Sequence, residues 1–286
     1  MGSQPCFLYR QLAFHPKPVP DKTRVDGQTA LVTGAGTIGS LGHEAAKEMA
    51  AHGLSRLIVA ARTVAKAEAA RQDTVKGNSG VHVEVWELDY ESWPSIQAFA
   101  RQAAQLDRLG IVVLSAGVKL LEYKRSGTGH EAHVQVNHLG TALLSLALLE
   151  PLQRTAQRLG SPTKMAIVTS EVHFWTKFEE HKAPNIIDRM DGPDSFKQNS
   201  MDRYNASKLL NQLWLRELDA RTDGSVIING VNPGLCASSL HRSHSGIAVF
   251  NKVFAWSSQE GGHALADTAL QHAERGAYIS EQVIKQ

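Results

Sequence analysis

ALVTGAGTIGSLGHEAAKEMA, residues 30–50, contains the features that decide the fold: an apolar run, a glycine-rich turn and a helix-patterned segment. Glycine is needed where a turn is tight and the backbone must approach a pyrophosphate closely. The helix that follows offers unpaired N–H groups and the positive end of its dipole to such a phosphate. The glycines have the spacing G-x-G-x-x-G, which predicts a dinucleotide site because it lies between the first strand and the first helix. The residues predicted to contact the dinucleotide here are Gly34, Gly36, Thr37, Ile38 and Gly39.

Short apolar runs alternate with helix-patterned segments along most of the chain, and this alternation predicts the architecture. Strand–helix–strand units at this spacing imply parallel strands with helices on both faces. The runs are almost continuously apolar, which is typical of strands that are buried on both sides. We therefore expect an α/β fold, a doubly wound parallel sheet of the Rossmann type, in a single domain of residues 27–286. The predicted strands span residues 30–33, 57–61, 81–88, 111–115, 165–169 and 225–231, and the predicted helices span residues 43–52, 64–74, 92–106, 130–159 and 202–220.

Three segments fall outside this alternation. Residues 1–26 are expected to form an irregular strap packed on the domain, because three prolines between positions 16 and 20 exclude a regular helix there. Residues 173–201 and 238–257 are long and interrupt the pattern of strands and helices. Segments of this length in a compact domain are usually functional, so we interpret them as lids over the site; surface elaborations of the domain are the alternative.

Composition and charge exclude several classes of protein. Of the 286 residues, 42% are hydrophobic and 20% are charged, which is enough apolar material for a sizeable core. The 30 basic and 28 acidic side chains leave a net charge of +2, without the clustered basic residues that nucleic-acid binding requires. No apolar run approaches the roughly 18 residues of a membrane span. Two cysteines and scattered histidines predict neither a disulfide framework nor a metal site, and we expect a cytoplasmic location.

The end of the second predicted strand, at Arg62 and Thr63, bears on the choice of dinucleotide. In a dinucleotide-binding fold this point meets the adenosine ribose. An acidic residue there holds the 2′-hydroxyl of NAD, whereas an arginine suits the 2′-phosphate of NADP. Arg62 therefore predicts NADP(H), with Thr63 as a second hydrogen-bond donor; an ordinary solvated arginine is the alternative.

Tyr204 and Lys208 lie four residues apart in a helix-patterned segment, so their side chains share one face. A phenol with a pKa of about 10 is a poor acid or base at neutral pH. A neighbouring ammonium group favours the ionised phenol, and we expect Lys208 to lower the pKa of Tyr204 so that it exchanges a proton with a carbonyl or alcohol oxygen. Ser170 follows a predicted strand, where its hydroxyl can hydrogen-bond the same oxygen. Asn137 lies in a predicted helix, and we expect its side-chain amide to anchor a water and to order Lys208.

These motifs occur in the order that the short-chain dehydrogenase/reductase family has. They are the glycine-rich loop, Leu88-Asp89, Ser115-Ala116-Gly117, Asn137, Ser170, Tyr204-x-x-x-Lys208 and Asn232-Pro233-Gly234. The chain resembles this family over about residues 27–281, and residues 85–89, 135–140 and 276–280 are similar to fungal members of secondary-metabolite pathways. The resemblance implies a nicotinamide cofactor and a catalytic tetrad of Asn137, Ser170, Tyr204 and Lys208.

The resemblance also implies the contacts of the cofactor. The positions that match the family's contacts are Leu88 and Asp89 at the adenine, Ser115, Ala116 and Gly117 along the adenosine ribose, and Pro233, Gly234 and Leu235 beside the nicotinamide. Ser238 stands where the family usually has a threonine on the carboxamide. Lys208 would hold the nicotinamide ribose, next to Tyr204.

The glycine-rich loop departs from the family pattern T-G-x-x-x-G-x-G. Ile38 and Ser40 occupy the positions of the later glycines. If the chain is aligned from the helix that begins near His43 instead, the loop carries two extra residues and Gly42 is its last glycine. The sequence is compatible with both registers.

Two further departures from the family pattern concern the support of the central strands and the wall of the substrate site. Ser115 replaces the usual asparagine of the Asn-Ala-Gly segment, so we expect weaker support of the central strands. Ser170 and Tyr204 are 34 positions apart (204 − 170), and the segment 173–201 that lengthens this spacing is expected to wall the substrate site.

Three functions are compatible with these motifs. The leading hypothesis is an NADP(H)-dependent oxidoreductase that moves a hydride between the nicotinamide and a carbonyl, alcohol or imine carbon of a hydrophobic small molecule. The second is an enzyme that keeps the dinucleotide pocket for cyclisation, epimerisation or dehydration, and the third is a non-catalytic dinucleotide sensor. The helices 130–159 and 202–220 resemble those that pair subunits in the family, which predicts a homodimer or homotetramer unless the sheet covers their apolar faces. The residues predicted to contact substrate are His173, Phe174, Trp175, Leu240, Phe250 and Trp256.

Overall fold

A sheet of eight strands lies at the centre of the structure, a computed structural model that describes residues 2–198, 200–238 and 253–285. Its strands are β1 (Thr29–Thr33), β2 (Arg56–Ala61), β3 (His82–Glu87), β4 (Ile111–Leu114), β5 (Thr163–Val168), β6 (Val226–Asn232), β7 (Tyr278–Ser280) and β8 (Val283–Lys285). The described helices are α1 (Gln4–Ala13), α2 (Leu41–Ala51), α3 (Val64–Gly77), α4 (Trp93–Ala104), a π-helix (His133–Leu139), α5 (Gly140–Ala147), α6 (Leu149–Leu159), α7 (Ile186–Asp191), α8 (Pro193–Gln198), α9 (Ser200–Ala220) and α10 (Ser258–Leu270).

The strand order is β3-β2-β1-β4-β5-β6-β7-β8, and the pairs from β3 to β7 are all parallel. The chain therefore winds outward in one direction from β1 to β3 and in the other direction from β4 onward. This reversal leaves a crevice beyond the carboxyl ends of β1 and β4, where such folds bind ligands. The predicted doubly wound parallel sheet of the Rossmann type is confirmed.

Both faces of the sheet are covered by helices. Along β1, Leu31 packs into one core together with side chains of α4, α5, α6 and α9. Its neighbours Ala30 and Val32 point to the other face, where they pack with side chains of α2 and α10. Successive residues of a strand face opposite sides, so a strand between two helical layers must be apolar at every position. This is why the predicted strands were recognisable as continuous apolar runs.

The carboxyl-terminal edge of the sheet departs from the prediction. Neither β7 nor β8 was expected, and β8 is antiparallel to β7. Each has three residues, which is too short for a hydrophobic period to be recognised. The edge is placed by main-chain contacts from distant parts of the chain, for example from the Gly230 amide to the Ala277 carbonyl at 2.8 Å.

The expectation that residues 1–26 are irregular is wrong for α1. The Ser3 hydroxyl accepts a hydrogen bond from the Cys6 amide, and Pro5 lies in the first turn, where a proline lacks no needed donor. The prolines that exclude a helix begin only at Pro16, three residues beyond the end of α1. These prolines therefore exclude a helix only in the segment that follows α1.

The segment 173–201 is built from short helical pieces. Turns of 3-10 helix at Glu171–Phe174 and Glu179–Lys182 precede α7 and α8. Met190 on α7 packs against Val134 of the π-helix and Ala206 of α9, in a small core separate from the two cores at the sheet. Most of the segment therefore packs against the π-helix and α9 and supports them. Of the other predicted lid, residues 239–252 lie outside the described residues.

Two further observations concern the helices. The helix predicted over residues 130–159 is divided into the π-helix, α5 and α6. Within the described part of the chain, no helix combines the length and the apolar character that crossing a membrane requires.

Candidate active site

A cavity of about 730 Å³ opens at the carboxyl ends of the central strands. Its wall is formed by the start of the glycine-rich loop, the segment after β4, the end of β5, α9, the turn after β6 and α1. Pockets of this size bury most of a small organic ligand. The cavity lies where the strand order reverses, as the fold requires.

The cavity brings together residues that are far apart in the sequence. Of the four predicted catalytic residues, Ser170, Tyr204 and Lys208 line it, whereas Asn137 lies fully buried behind them. Of the predicted cofactor contacts, the residues that line it are Gly34, Ser115, Ala116, Gly117, Tyr204, Lys208, Pro233, Gly234, Leu235 and Ser238. The predicted contacts that lie outside its wall are Gly36, Thr37, Ile38, Gly39, Arg62, Thr63, Leu88 and Asp89.

Tyr204 and Lys208 lie on one face of α9, as their spacing predicted. The Lys208 Nζ lies 5.8 Å from the centre of the Tyr204 ring and donates a hydrogen bond to the Val168 carbonyl at 3.0 Å. Burial raises the pKa of Tyr204 above its usual value, and burial lowers the pKa of Lys208 to about 8. The expected lowering of the Tyr204 pKa is therefore wrong for this arrangement, because removal of the phenol from water outweighs the neighbouring ammonium. A raised pKa keeps the phenol protonated at neutral pH.

Asn137 is presented by the π-helix, and its amide connects two walls of the site. Its Oδ1 accepts a hydrogen bond from the Val118 amide at 2.7 Å, and its Nδ2 donates to the Val118 carbonyl at 2.9 Å and to the Ser207 Oγ at 3.0 Å. Both ends of the amide are thus engaged by the protein, while its role toward a water beside Lys208 stays a prediction. Asn137 ties the segment after β4 to α9.

Asn232, at the end of β6, positions two parts of the cavity wall and was not predicted as a site residue. Its Oδ1 accepts hydrogen bonds from the Glu171 amide at 3.2 Å and from the Gly234 amide at 3.1 Å. Its Nδ2 donates to the Ser280 hydroxyl at 3.0 Å. One side chain therefore holds the residue after Ser170 and the turn after β6 in register. The Asn-Pro-Gly motif could have indicated this role of Asn232, but only its proline and glycine were interpreted as site residues.

The structure distinguishes the two registers of the glycine-rich loop. Ser40 caps α2 with its side chain, so Gly42 lies in the first turn of that helix. A Cβ at Gly42 would lie 2.8 Å from the Thr33 carbonyl oxygen and 2.9 Å from that of Gly34. At Gly39, which has a φ of +72°, a Cβ would meet only the Ser258 hydroxyl, at 3.9 Å. Gly42 is therefore the glycine that allows the helix to approach the strand, as the register with the longer loop requires.

Thr33 supports the segment in which Ser115 stands at the position of the usual asparagine. The amides of Ser115 and Ala116 both lie 3.1 Å from the Thr33 Oγ1, to which they donate. The Tyr90 hydroxyl bonds to the same oxygen at 3.1 Å. The ends of β1 and β4 are therefore tied through the Thr33 side chain, a support that the sequence did not indicate.

The predicted adenosine end lies at the surface, beyond the cavity wall. The Arg62 side chain is 70% exposed, and its Nη1 lies 3.6 Å from the Glu91 Oε2. Thr63 precedes α3 and is exposed, and its hydroxyl makes no capping hydrogen bond. Leu88 is buried in the core, so only its main chain faces this end. Asp89 is half-buried and accepts a hydrogen bond from the Glu91 amide at 3.0 Å.

The predicted substrate residues separate into two groups. Trp175 lines the cavity, whereas His173, Phe174 and Trp256 do not. The His173 ring packs against Phe174 and Tyr278, its Nδ1 lies 2.5 Å from the Ser170 carbonyl oxygen, and Phe174 turns toward solvent. Trp256 is buried beneath α1, where its Nε1 donates to the Gln11 carbonyl at 2.8 Å. The other two predicted contacts, Leu240 and Phe250, lie outside the described residues.

One wall of the cavity is formed by α1, which was not predicted to contact substrate. Gln4, Phe7 and Leu8 line the cavity, and the Phe7 ring meets the Trp175 ring edge-on at a centroid distance of 5.3 Å. The Trp175 Nε1 also donates to the Gly2 carbonyl at 2.7 Å. The apolar residues near the amino terminus could have indicated a packed helix. A pattern along the sequence cannot show, however, which distant cavity such a helix covers.

Comparisons with known proteins agree with this geometry. Residues 28–172 match the family model described as short chain dehydrogenase. The short chain dehydrogenase sol3 of Alternaria solani is 56% identical over 285 residues, which cover 99% of each chain. The short-chain dehydrogenase fogG of Aspergillus ruber is 33% identical over 97% of this chain and 83% of its own length. These relatives are fungal, which confirms the resemblance to fungal members of the family.

A solved structure shows the same fold at low identity. The alcohol dehydrogenase of the archaeon Thermococcus sibiricus, solved in complex with 5-hydroxy-NADP, superposes with a TM-score of 0.65 at 19% identity, over 91% of this chain and 97% of its own. The fold, the order of the motifs and the relatives lead to one assignment. The chain belongs to the short-chain dehydrogenase/reductase family of oxidoreductases.

Proposed function

We propose that this protein is an NADP(H)-dependent reductase of a carbonyl group in a hydrophobic small molecule, with the reverse oxidation of the alcohol available to the same site. The observation that carries the proposal is the meeting of Ser170, Tyr204 and Lys208 on the wall of one cavity at the carboxyl ends of the strands. These three side chains supply a hydrogen-bond donor, a proton donor and a cation within one site.

Each side chain has a distinct part in the reduction. The nicotinamide, when bound, supplies the hydride to the carbonyl carbon. Tyr204 donates its phenolic proton to the carbonyl oxygen, since the phenol is protonated at neutral pH. The Ser170 hydroxyl donates a hydrogen bond to the same oxygen as negative charge develops there. The Lys208 ammonium stabilises the phenolate that Tyr204 becomes when it has lost its proton.

The nature of the cavity wall supports a hydrophobic substrate. Phe7, Leu8 and Trp175 form one side of it, together with Val172 from the turn after β5. Apolar walls with a few converging polar groups are typical of small-molecule sites. An apolar body would rest against these side chains while its carbonyl group faces Ser170 and Tyr204.

The choice of NADP(H) rests on Arg62 and Thr63. Both are exposed beside the start of α3, where a 2′-phosphate would meet a guanidinium group, a free hydroxyl and the positive end of a helix dipole. Glu91 lies near Arg62, but the Lys124 Nζ pairs with the same carboxylate at 3.0 Å and compensates its charge. The glycine-rich loop suits a dinucleotide-binding fold as well, since Gly34 and Gly42 let it pack without a Cβ against the segment after β4 and the end of β1.

The first experiment compares the binding of NADPH and NADH to the purified protein by calorimetry and follows the consumption of NADPH with a panel of hydrophobic ketones. We expect tighter binding of NADPH and a turnover that falls about 100-fold or more in Tyr204→Phe. Tyr9→Phe is the matched control, because Tyr9 is 72% exposed on the outer side of α1. Arg62→Ala should reduce the preference for NADPH about tenfold.

The possible results lead to different conclusions. Binding of NADPH without turnover of any ketone would favour an isomerising, cyclising or dehydrating enzyme that keeps the nucleotide pocket. An unchanged rate in Tyr204→Phe would overturn the assigned chemistry. Failure to bind either nucleotide would overturn the proposal as a whole.

We further propose that the protein acts in the cytoplasm, in secondary metabolism. Both cysteines, exposed Cys6 and buried Cys236, are free thiols, which suits a reducing compartment. The metabolic assignment rests on the similarity of residues 85–89, 135–140 and 276–280 to fungal enzymes of such pathways.

A further inference from the structure

Lys119 is a second cation beside Tyr204, and the chemistry described above does not use it. It lies two residues beyond Gly117 and lines the cavity. Its Nζ is 5.3 Å from the centre of the Tyr204 ring, comparable to the 5.8 Å of the Lys208 Nζ. The Tyr204 ring therefore has two ammonium groups beside it, one from α9 and one from the segment after β4.

The backbone on both sides of Lys119 is anchored. Asn137 holds both the amide and the carbonyl of Val118, and the Leu120 amide donates to the His133 Nε2 at 2.9 Å. Lys119 thus stands between two residues that are tied to the π-helix. A lysine in such a position loses less conformational freedom on binding a ligand than one on a mobile loop.

The charge of Lys119 is uncompensated within the described part of the chain. Glu171 is the acidic side chain on the cavity wall, and Arg10 of α1 already forms an ion pair with it. No carboxylate of residues 2–198, 200–238 and 253–285 lies within ion-pair distance of the Lys119 Nζ. Burial lowers the pKa of Lys119, as expected for an ammonium group that leaves water without a counterion.

The two lysines also differ in their hydrogen bonds. The Lys208 Nζ donates to the Val168 carbonyl, which holds it against β5. The described contact of the Lys119 Nζ is the face of the Tyr204 ring, so its donors can serve a ligand. A half-buried cation with available donors, next to the group that protonates the substrate, suits an anionic oxygen.

We propose that Lys119 is a substrate-binding residue whose ammonium group holds an anionic oxygen of the substrate, a carboxylate or an enolate, close to the reacting carbon. This inference rests on the proposed function and narrows its substrate class. The substrate then combines an apolar body, which contacts Phe7, Leu8 and Trp175, with an anionic oxygen near the carbonyl group that is reduced. Lys119 acts by binding and orientation, while Tyr204 and Ser170 act on the carbonyl oxygen.

The test uses pairs of ligands that differ in charge and little else. For the carboxylate, 2-naphthoate is compared with its methyl ester; for the enolate, dimedone is compared with its enol methyl ether. Binding to the full chain is measured by calorimetry with and without saturating NADP⁺. We expect the wild-type protein to bind the anionic member of at least one pair about tenfold or more tightly. The pair that shows the preference identifies the source of the anionic oxygen.

Variants assign the preference to Lys119. Lys119→Met should abolish it, Lys119→Arg should retain most of it, and the exposed Lys197→Met on α8 should leave it unchanged. The ratio of the two affinities is internal to each variant, so partial unfolding lowers both affinities and leaves the ratio unaltered. A wild-type protein without the preference, or a preference that persists in Lys119→Met, would overturn the inference.

The inference and the proposed function can fail separately. NADPH binding and Tyr204-dependent turnover of a neutral ketone are measured on the same preparations. If these are present while the anion preference is absent, only the role of Lys119 is wrong. If they are absent, the proposed reductase is wrong whatever the probes show.

Discussion

The burial of Lys208 predicts how the rate of the reduction depends on pH. Because burial lowers its pKa to about 8, the side chain is an ammonium ion below that pH and a neutral amine above it. The ammonium form stabilises the phenolate of Tyr204, so we expect kcat/KM for ketone reduction to fall as the pH rises through about 8. The measurement is a pH–rate profile at saturating NADPH.

The control is Lys208→Arg, since a guanidinium group stays charged throughout this range. Its profile, at whatever absolute rate remains, should lack the fall near pH 8. If the same fall appears in both proteins, another group titrates there and the assignment to Lys208 is wrong.

Gly42 controls how closely α2 approaches β1. The Cβ of Gly42→Ala would lie within 3 Å of two carbonyl oxygens of the backbone, which cannot move away as a flexible side chain would. We expect the substitution to reduce the free energy of unfolding by about 1–3 kcal/mol and to weaken NADPH binding, because the helix end shifts relative to the loop. Thermal unfolding and calorimetry measure the two effects.

Gly77→Ala is the matched control, since a Cβ at this last residue of α3 meets no heavy atom within 4 Å. It should leave both quantities nearly unchanged. A Gly42→Ala protein that is as stable as this control would contradict the packing role of Gly42.

Among the secondary structure elements, α1 has the clearest separate role. Gln11, 3% exposed, fastens it to the turn after β6 by donating to the carbonyls of Leu235 and Phe254 and by accepting from the Leu235 amide. Gln11→Ala leaves these buried groups unpaired at a cost of about 2–3 kcal/mol. We expect α1 to open locally and KM for a hydrophobic ketone to rise, since the helix carries one wall of the cavity.

Hydrogen exchange over residues 4–13 and steady-state kinetics test this expectation together. Tyr9→Ala, which alters the exposed side of the same helix, should change neither the exchange nor KM. If Gln11→Ala speeds exchange in α1 without raising KM, the helix covers the cavity without contributing to substrate binding.

At the scale of the whole molecule, exposed leucines on α5 and α9 predict that the chain associates with itself. Leu146 and Leu213 are each 51% exposed, and the helices are joined beside them by a hydrogen bond from the Trp214 Nε1 to the Ser145 Oγ. The sheet covers the opposite faces of both helices, so we expect these leucines to contact a second copy of the chain. We expect a dimer or tetramer by light scattering, and a lower mass for the double variant Leu146→Glu, Leu213→Glu.

Leu121→Glu serves as the control, because Leu121 is 46% exposed and belongs to neither of these helices. It should assemble as the wild-type protein does. A monomeric wild-type chain would show that these exposed leucines have no partner copy.

Local sequence patterns were sufficient to predict the strands of the sheet and the residues that single elements present. The six predicted strands lie within two residues of the observed ones, because each packs between two helical layers and must be apolar at every position. Tyr204 and Lys208 were recognisable because a single helix sets their relation. The same holds for Ser170, which a strand end presents. Features of this kind depend on neighbours in the sequence, and the sequence records them directly.

The tertiary structure decided the features that depend on contacts between distant segments. The role of Gly42 follows from the distance between a helix and a strand, and the wall formed by α1 follows from contacts with residues more than 160 positions away, such as that of Phe7 with Trp175. The pKa of Tyr204 follows from burial, which no spacing reveals. No sequence pattern singled out Lys119, and only the folded chain places it beside Tyr204. Periodicity is a local property, whereas a cavity is formed by whichever segments the packing brings together.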